Sequence, residues 1–245
     1  MTDQTFTTPR PVRFEVRVPS GDVDVTTTGD GVSEVALSGS PRLVEAATVE
    51  LVGDRLVVEL PRRGLNFFTT MTGRLKVQAR VPERSSVEIA SAAGAASLQG
   101  TFAALDLKSA SGGLRLAGEV VGDATVKTVS GEVRLGRVGG DLDAQVVSGD
   151  VSAEAVGGSV SVKSVSGDVR VGSLREGRAS IHSVSGDVEL GIAPGTNVDV
   201  DAGTASGRLH ADMPLAQVPD GTEGPTVVIR GKTVSGDFRV FRAAA

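Results

Sequence analysis

The sequence contains no cysteine, no tryptophan and no tyrosine. Without cysteine there is no disulfide framework, no thiolate metal site and no thiol nucleophile. Seven phenylalanines are the only aromatic residues, so platforms for stacking bases are missing. The net charge is −5 and no Lys/Arg block stands out, which argues against nucleic acid as a partner. His182 and His210 are the only imidazoles, too few for a histidine-based metal site. Ser and Asp are so frequent that a Ser–His–Asp grouping carries no information, and neither an enzyme nor a cofactor is expected. No segment reaches the ~18–20 apolar residues that cross a bilayer. Residues Met1 to Pro19 are polar, with no apolar run of signal-peptide length. The expectation is a cytoplasmic chain without a membrane span.

What the chain has in quantity is glycine (32 residues), valine and serine. The phrase [ST]-[VA]-S-G recurs, as Thr128-Val129-Ser130-Gly131, Ser164-Val165-Ser166-Gly167, Ser183-Val184-Ser185-Gly186 and Thr233-Val234-Ser235-Gly236. From Gly94 the glycines follow at steps of 18, 19, 18, 18, 19, 21 and 29 residues. Gly122, Gly140, Gly158 and Gly177 sit about nine residues before several of them, so a nonapeptide G-x-V-x-V-x-x-V-x is the unit.

In the copy beginning at Gly158, Val160 and Val162 alternate as strand residues do, and Val165 follows as a third inward position. Glycine at each boundary permits the positive φ that a tight corner needs, which makes Gly131, Gly149, Gly167 and Gly186 turn residues. Two short strands and two corners per ~18 residues predict an all-β, right-handed β-solenoid over residues 81–245, its coils stacked in parallel at ~4.8 Å. Residues 1–80 lack the nine-residue period and carry longer alternating runs between turn signals. They are expected to form a small antiparallel β cap over the first coil. A Pro/Gly-containing insertion at about 212–225 interrupts the period as a loop.

The serial phrases Gly149-Asp150-Val151, Gly167-Asp168-Val169 and Gly186-Asp187-Val188, following an N-terminal β segment, resemble the bacterial β-strand-repeat family of adhesin-like proteins, also called toastrack domains. The resemblance spans nearly the whole chain. It implies an association with cell-envelope stress systems and a protein partner, such as a membrane-embedded regulator.

Four surface features are candidates for function. Asp150, Asp168 and Asp187, with Glu132 and Asp237, follow corner glycines and should align as an acidic ridge; it is a weak candidate for a divalent cation, against ordinary Gly-Asp turn chemistry. Thr128/Ser130, Ser164/Ser166 and Ser183/Ser185 suggest a hydroxyl array. Lys127, Gln145, Lys163 and His182 suggest a mixed outer row suited to an anionic polymer or a lipid headgroup. Phe67 and Phe68, near Met71, fit no repeat, and mark either a cover for the first coil or a contact site. The leading expectation is a non-enzymatic binding or scaffold module. The alternatives are a structural protein self-associating end to end, and a carbohydrate-active β-helix enzyme, which would need a groove of converging carboxylates.

Overall fold

The computed structural model describes residues 2–60, 73–212 and 224–243. Among them are 22 strands and one short helix, Pro41–Ala46, so the protein is all-β. The strands alternate between two faces of a flattened solenoid. The front face stacks Ser86–Ala93, Leu105–Ser111, Ala124–Ser130, Leu142–Ser148, Val160–Ser166 and Gly177–Ser185, each parallel to the next. The back face stacks Ala96–Phe102, Leu114–Val120, Val133–Val138, Val151–Val156, Val169–Leu174 and Val188–Ile192 in the same way. One continuous apolar core runs between the faces, from Val12 to Val240 and across residue 80.

The corner glycines stand in line. Gly131, Gly149, Gly167 and Gly186 all have φ between 124° and 138°. A Cβ placed on Gly149 would lie 2.2 Å from the Gly131 carbonyl oxygen. Both the backbone angle and the close approach of the rung below therefore demand glycine.

The two halves of each period differ, and this corrects the inward trio. On the front face alternation continues to the end of the strand, so Val160, Val162 and Ser164 are buried while Val165 is 49% exposed. On the back face the pairing shifts register near Arg115 and near Val171. The irregularity returns the later apolar residue to the interior, and Val138, Val156 and Leu174 are buried.

The rungs do not follow chain order at either end. The sixteen-residue strand Arg13–Thr28 runs through both faces. It lies between the rung made by Arg55–Glu59 and Leu75–Pro82 and the rung made by Ser86–Ala93 and Ala96–Phe102, parallel to all four. The antiparallel part of residues 1–80 is thus smaller than expected. It comprises Thr2–Thr7 on Val32–Gly39, Val32–Gly39 on Leu75–Pro82, and Thr48–Val52 on Arg55–Glu59. At the other end, Thr226–Ser235 and Phe238–Arg242 form a rung inserted between Gly177–Ile192 and Asn197–Ala211. The loop expected at about 212–225 falls mostly on residues 213–223, which lie outside the described residues.

Candidate ligand-binding face

In-register parallel pairing converts a repeated sequence position into a column. On the front outer surface one column holds Lys108, Lys127, Gln145, Lys163, His182 and Lys232. It includes the row read from the sequence and extends it in both directions, since Arg17 continues it beyond Ala90. Lys108 is paired with Asp106 at 3.0 Å, whereas Lys127, Lys163 and Lys232 enter no ion pair among the described residues.

Two residues further along each strand runs an apolar column. Val129, Val147, Val165, Val184 and Val234 are 47–55% exposed. A single half-exposed valine is ordinary, but five on successive rungs form a contiguous stripe roughly 19 Å long at ~4.8 Å per rung. Sequence reading missed this stripe because it placed the valine of the Ser-Val-Ser-Gly phrase inside. The signal was the strict alternation from Val160 to Val165, which puts residues of even and odd number on opposite sides.

An open groove of about 1120 Å³ follows these two columns from Pro19 and Leu60 to Val165. Lysines 108, 127 and 163 border the apolar stripe. Ser109 and Ser164 also line the groove, but their hydroxyl oxygens are buried beneath its surface, without a hydrogen-bond partner among the described residues. At its end stands Arg17, held by an unusual carboxylate. Glu15 points outward from the sheet, yet its side chain is only 1% exposed, because arginines cover it. Arg55 donates to both carboxylate oxygens at 2.5 and 2.6 Å, and Arg17 donates at 2.9 Å. The hydrogen bond from Arg55, followed by the charges of Arg55, Arg17 and Arg13, holds the Glu15 carboxyl below its ordinary pKa, against the opposing effect of burial.

The acidic ridge has a backbone role. The N–H of Asp168 donates to Asp150 Oδ1 at 2.9 Å, that of Asp187 to Asp168 Oδ1 at 2.8 Å, and that of Asp237 to Asp187 Oδ1 at 2.8 Å. A matching ladder at the opposite corner joins Asp141 N–H to Asp123 and Ser159 N–H to Asp141. One oxygen of each of these carboxylates is therefore engaged by the neighbouring rung, and no group of three His, Asp or Glu converges on a metal-sized site among the described residues.

The hydroxyl rows do not form a flat outer array, since Thr128, Ser164, Ser183 and Thr233 are buried. His182 is exposed within the cation column. His210 instead joins Asp212 at 2.8 Å on the back face, where Arg239 also binds Asp212 at 2.7 Å. Phe67 and Phe68 lie outside the described residues. None of the helices among the described residues is long and apolar enough to cross a membrane.

No curated protein matches the chain. Among solved structures, a candidate adhesin from Bacteroides fragilis aligns with a TM-score of 0.55 at 12% identity, covering 97% of this chain and 96% of that one. A candidate lipid-binding protein from Parabacteroides distasonis aligns with a TM-score of 0.55 at 13% identity, covering 98% of this chain and 96% of that one. At such identities the likeness is one of fold. The family profile is more telling, because it spans residues 12–241 and so takes in the threaded strands as well as the regular coils: the chain belongs to the Toastrack DUF4097 family.

Proposed function

We propose that this protein is a non-enzymatic binding module whose front groove takes an anionic amphiphile, with its acyl chain along the valine stripe and its charged group among the lysines. The single observation that carries this reading is the juxtaposition of the two columns. Val129, Val147 and Val165 lie beside Lys127 and Lys163 in one groove. Apolar contact and unpaired cations are offered side by side, two residues or roughly 6.6 Å apart along each strand, which suits a molecule with both properties. The whole stripe, which runs on past the groove through Val184 to Val234, is roughly 19 Å long, against the roughly 15 Å of a single leaflet's hydrocarbon, half of a ~30 Å bilayer core. The name of the Parabacteroides relative as a candidate lipid-binding protein supports the same class of ligand.

On this reading the rigid rod presents its face to an envelope lipid in a bacterial stress pathway, from the cytoplasmic side and beside a membrane-embedded protein partner. End-to-end assembly is less well supported. In the outermost rung Arg208 stands where the four rungs before it have Asp150, Asp168, Asp187 and Asp237, and its N–H already uses Asp237. A further rung would find no carboxylate acceptor there, and the back strand at that end, Leu209–Ala211, has only three residues.

The test is titration of a fluorescent long-chain fatty acid, with its methyl ester as a control. The free acid is expected to bind and the ester to bind more weakly. Lys127→Glu/Lys163→Glu should weaken binding of the acid at least tenfold, since each cation near an anionic surface contributes about 1 kcal/mol. Equal binding of acid and ester, or indifference to the charge reversal, refutes the proposal.

A further inference from the structure

The slot occupied by the C-terminal rung fits a second segment of the same chain. In the slot, Ile229 lies opposite Ala179, Thr233 opposite Ser183 and Ser235 opposite Ser185, while Phe238 lies opposite Val188. The outermost rung lays Val200, Thr204, Ser206 and Leu209 against those same four residues of the inserted rung. Moving Asn197–Ala211 inward by one rung would set Val200 on Ala179, Thr204 on Ser183, Ser206 on Ser185 and Leu209 on Val188. No strand would change register.

Corner chemistry matches as well. Asp187 Oδ1 accepts the N–H of Asp237, and Asp237 Oδ1 accepts the N–H of Arg208. In the alternative order Asp187 would accept the N–H of Arg208 directly. Gly207 sits over Gly236, which sits over Gly186, so Gly207 could rest on Gly186 without steric change. The connection has slack for either order. Four residues, 193–196, separate Val188–Ile192 from Asn197–Ser206, where two, 175–176, suffice between Val169–Leu174 and Gly177–Ser185.

The two orders differ on the outer face. The inserted rung contributes Lys232 to the cation column and Val234 to the valine stripe. In the alternative order Gly203 and Ala205 would occupy those places. We propose that rung order sets how far the ligand face runs on past the groove, which itself ends at Lys163 and Val165: the inserted order is the binding form, and an anionic amphiphile that continues along Val184 to Val234 holds the C-terminal rung in its slot. This rests on the ligand class proposed above. The inserted order is also the better packed, since it buries Val227, Ile229, Phe238 and Val240 completely. The alternative is therefore the minor state, which a ligand that prefers the uninterrupted cation and valine columns depopulates further.

Because the full chain has no cysteine, introduced pairs report rung order directly. Ser180, Arg230 and Asp201 form an outer column beside the cation column. In the inserted order Ser180→Cys and Asp201→Cys are two rungs apart, roughly 9.6 Å, beyond the ~7 Å reach of a disulfide. In the alternative order they are neighbours. Ser180→Cys/Arg230→Cys is the control that closes only in the inserted order.

Each full-length pair is refolded from urea in a glutathione buffer, with and without the fatty-acid probe. An intramolecular 180–201 disulfide is expected in a minor fraction of monomers, reduced severalfold by the probe. Its absence while the 180–230 control closes fully overturns the second rung order, with no bearing on ligand class. A 180–201 fraction that the probe leaves unchanged, although the probe binds wild type, overturns the coupling. Failure of wild type to bind the probe removes the ligand reading, and the coupling with it.

Discussion

The backbone N–H of Asp187 donates to the carboxylate of Asp168, one rung away, at 2.8 Å. This contact explains why aspartate follows so many corner glycines. At a corner the strand ladder is interrupted, and the side chain supplies the acceptor that the next rung's amide would otherwise lack.

If Asp168 acts as an acceptor and not as a charge, Asp168→Asn should retain stability, because the amide oxygen accepts the same bond. Asp168→Ala should cost about 1–2 kcal/mol by leaving the Asp187 amide unpaired. Urea unfolding of the two variants separates the roles. A loss in Asp168→Asn equal to that in Asp168→Ala would point to charge. A rise in melting temperature on adding calcium would reopen the cation reading of Asp150, Asp168 and Asp187.

Gly149→Ala should be severe, on the order of 3 kcal/mol or more, because φ is 135° and the new Cβ would meet the Gly131 oxygen at 2.2 Å. Gly195→Ala is the control. Its φ is 77°, but nothing lies within 4 Å of the added carbon, so roughly 1 kcal/mol is expected. Comparable losses in denaturant would show that stacking distance is not what the column requires.

Gly231 accommodates a buried ring, since a Cβ there would lie 2.3 Å from Phe238 Cε2. Gly231→Ala should overpack the inserted rung by about 1–3 kcal/mol. Hydrogen exchange should show the effect concentrated in Thr226–Arg242 and its two neighbouring rungs. Uniform acceleration over the whole solenoid would contradict a locally strained slot.

The two valines Val162 and Val165 should behave as opposites. Val162 is fully buried, and Val162→Ala should cost roughly 2 kcal/mol. Val165→Ser should change stability by less than about 0.5 kcal/mol, yet weaken binding of the fatty-acid probe. Calorimetry and probe titration on the same two proteins check both halves of the statement.

Glu15 predicts an acid-sensitive term. Its folded pKa is lowered, chiefly by the Arg55 hydrogen bond. Its stabilisation is therefore fully present above the unfolded carboxyl pKa of about 4.3, and is lost as pH falls through the lower folded value. Glu15→Gln should cost about 1–3 kcal/mol at neutral pH. The difference between wild type and variant should shrink below pH ~4. A constant gap down to pH 3 would rule this out.

Much of the architecture was legible in advance because its determinants are local. Glycines about nine residues apart announce corners, and alternating Val160/Val162-type pairs announce strands with one buried side. These patterns were enough for an all-β solenoid of ~18 residues per coil, and for a column of outer residues at Lys127, Gln145, Lys163 and His182. The side-chain direction of Val165 was misjudged because front and back strands share one consensus while differing in register. An irregularity turns Leu174 inward on the back face, and no such device exists before Val165 on the front.

Chain periodicity, then, was sufficient to establish what a rung is made of: two strands, two corners and a thin valine-rich interior. It could not establish the order in which rungs stack, because a repeat presents nearly identical edges at every level and the pairing energy of any two is similar. That choice fell to tertiary structure. Arg13–Thr28 and Thr226–Arg242 entered slots between other rungs, where Phe14 and Phe238 are wholly buried. The linker lengths that permit these insertions acquire meaning only once the partners on either side are in place.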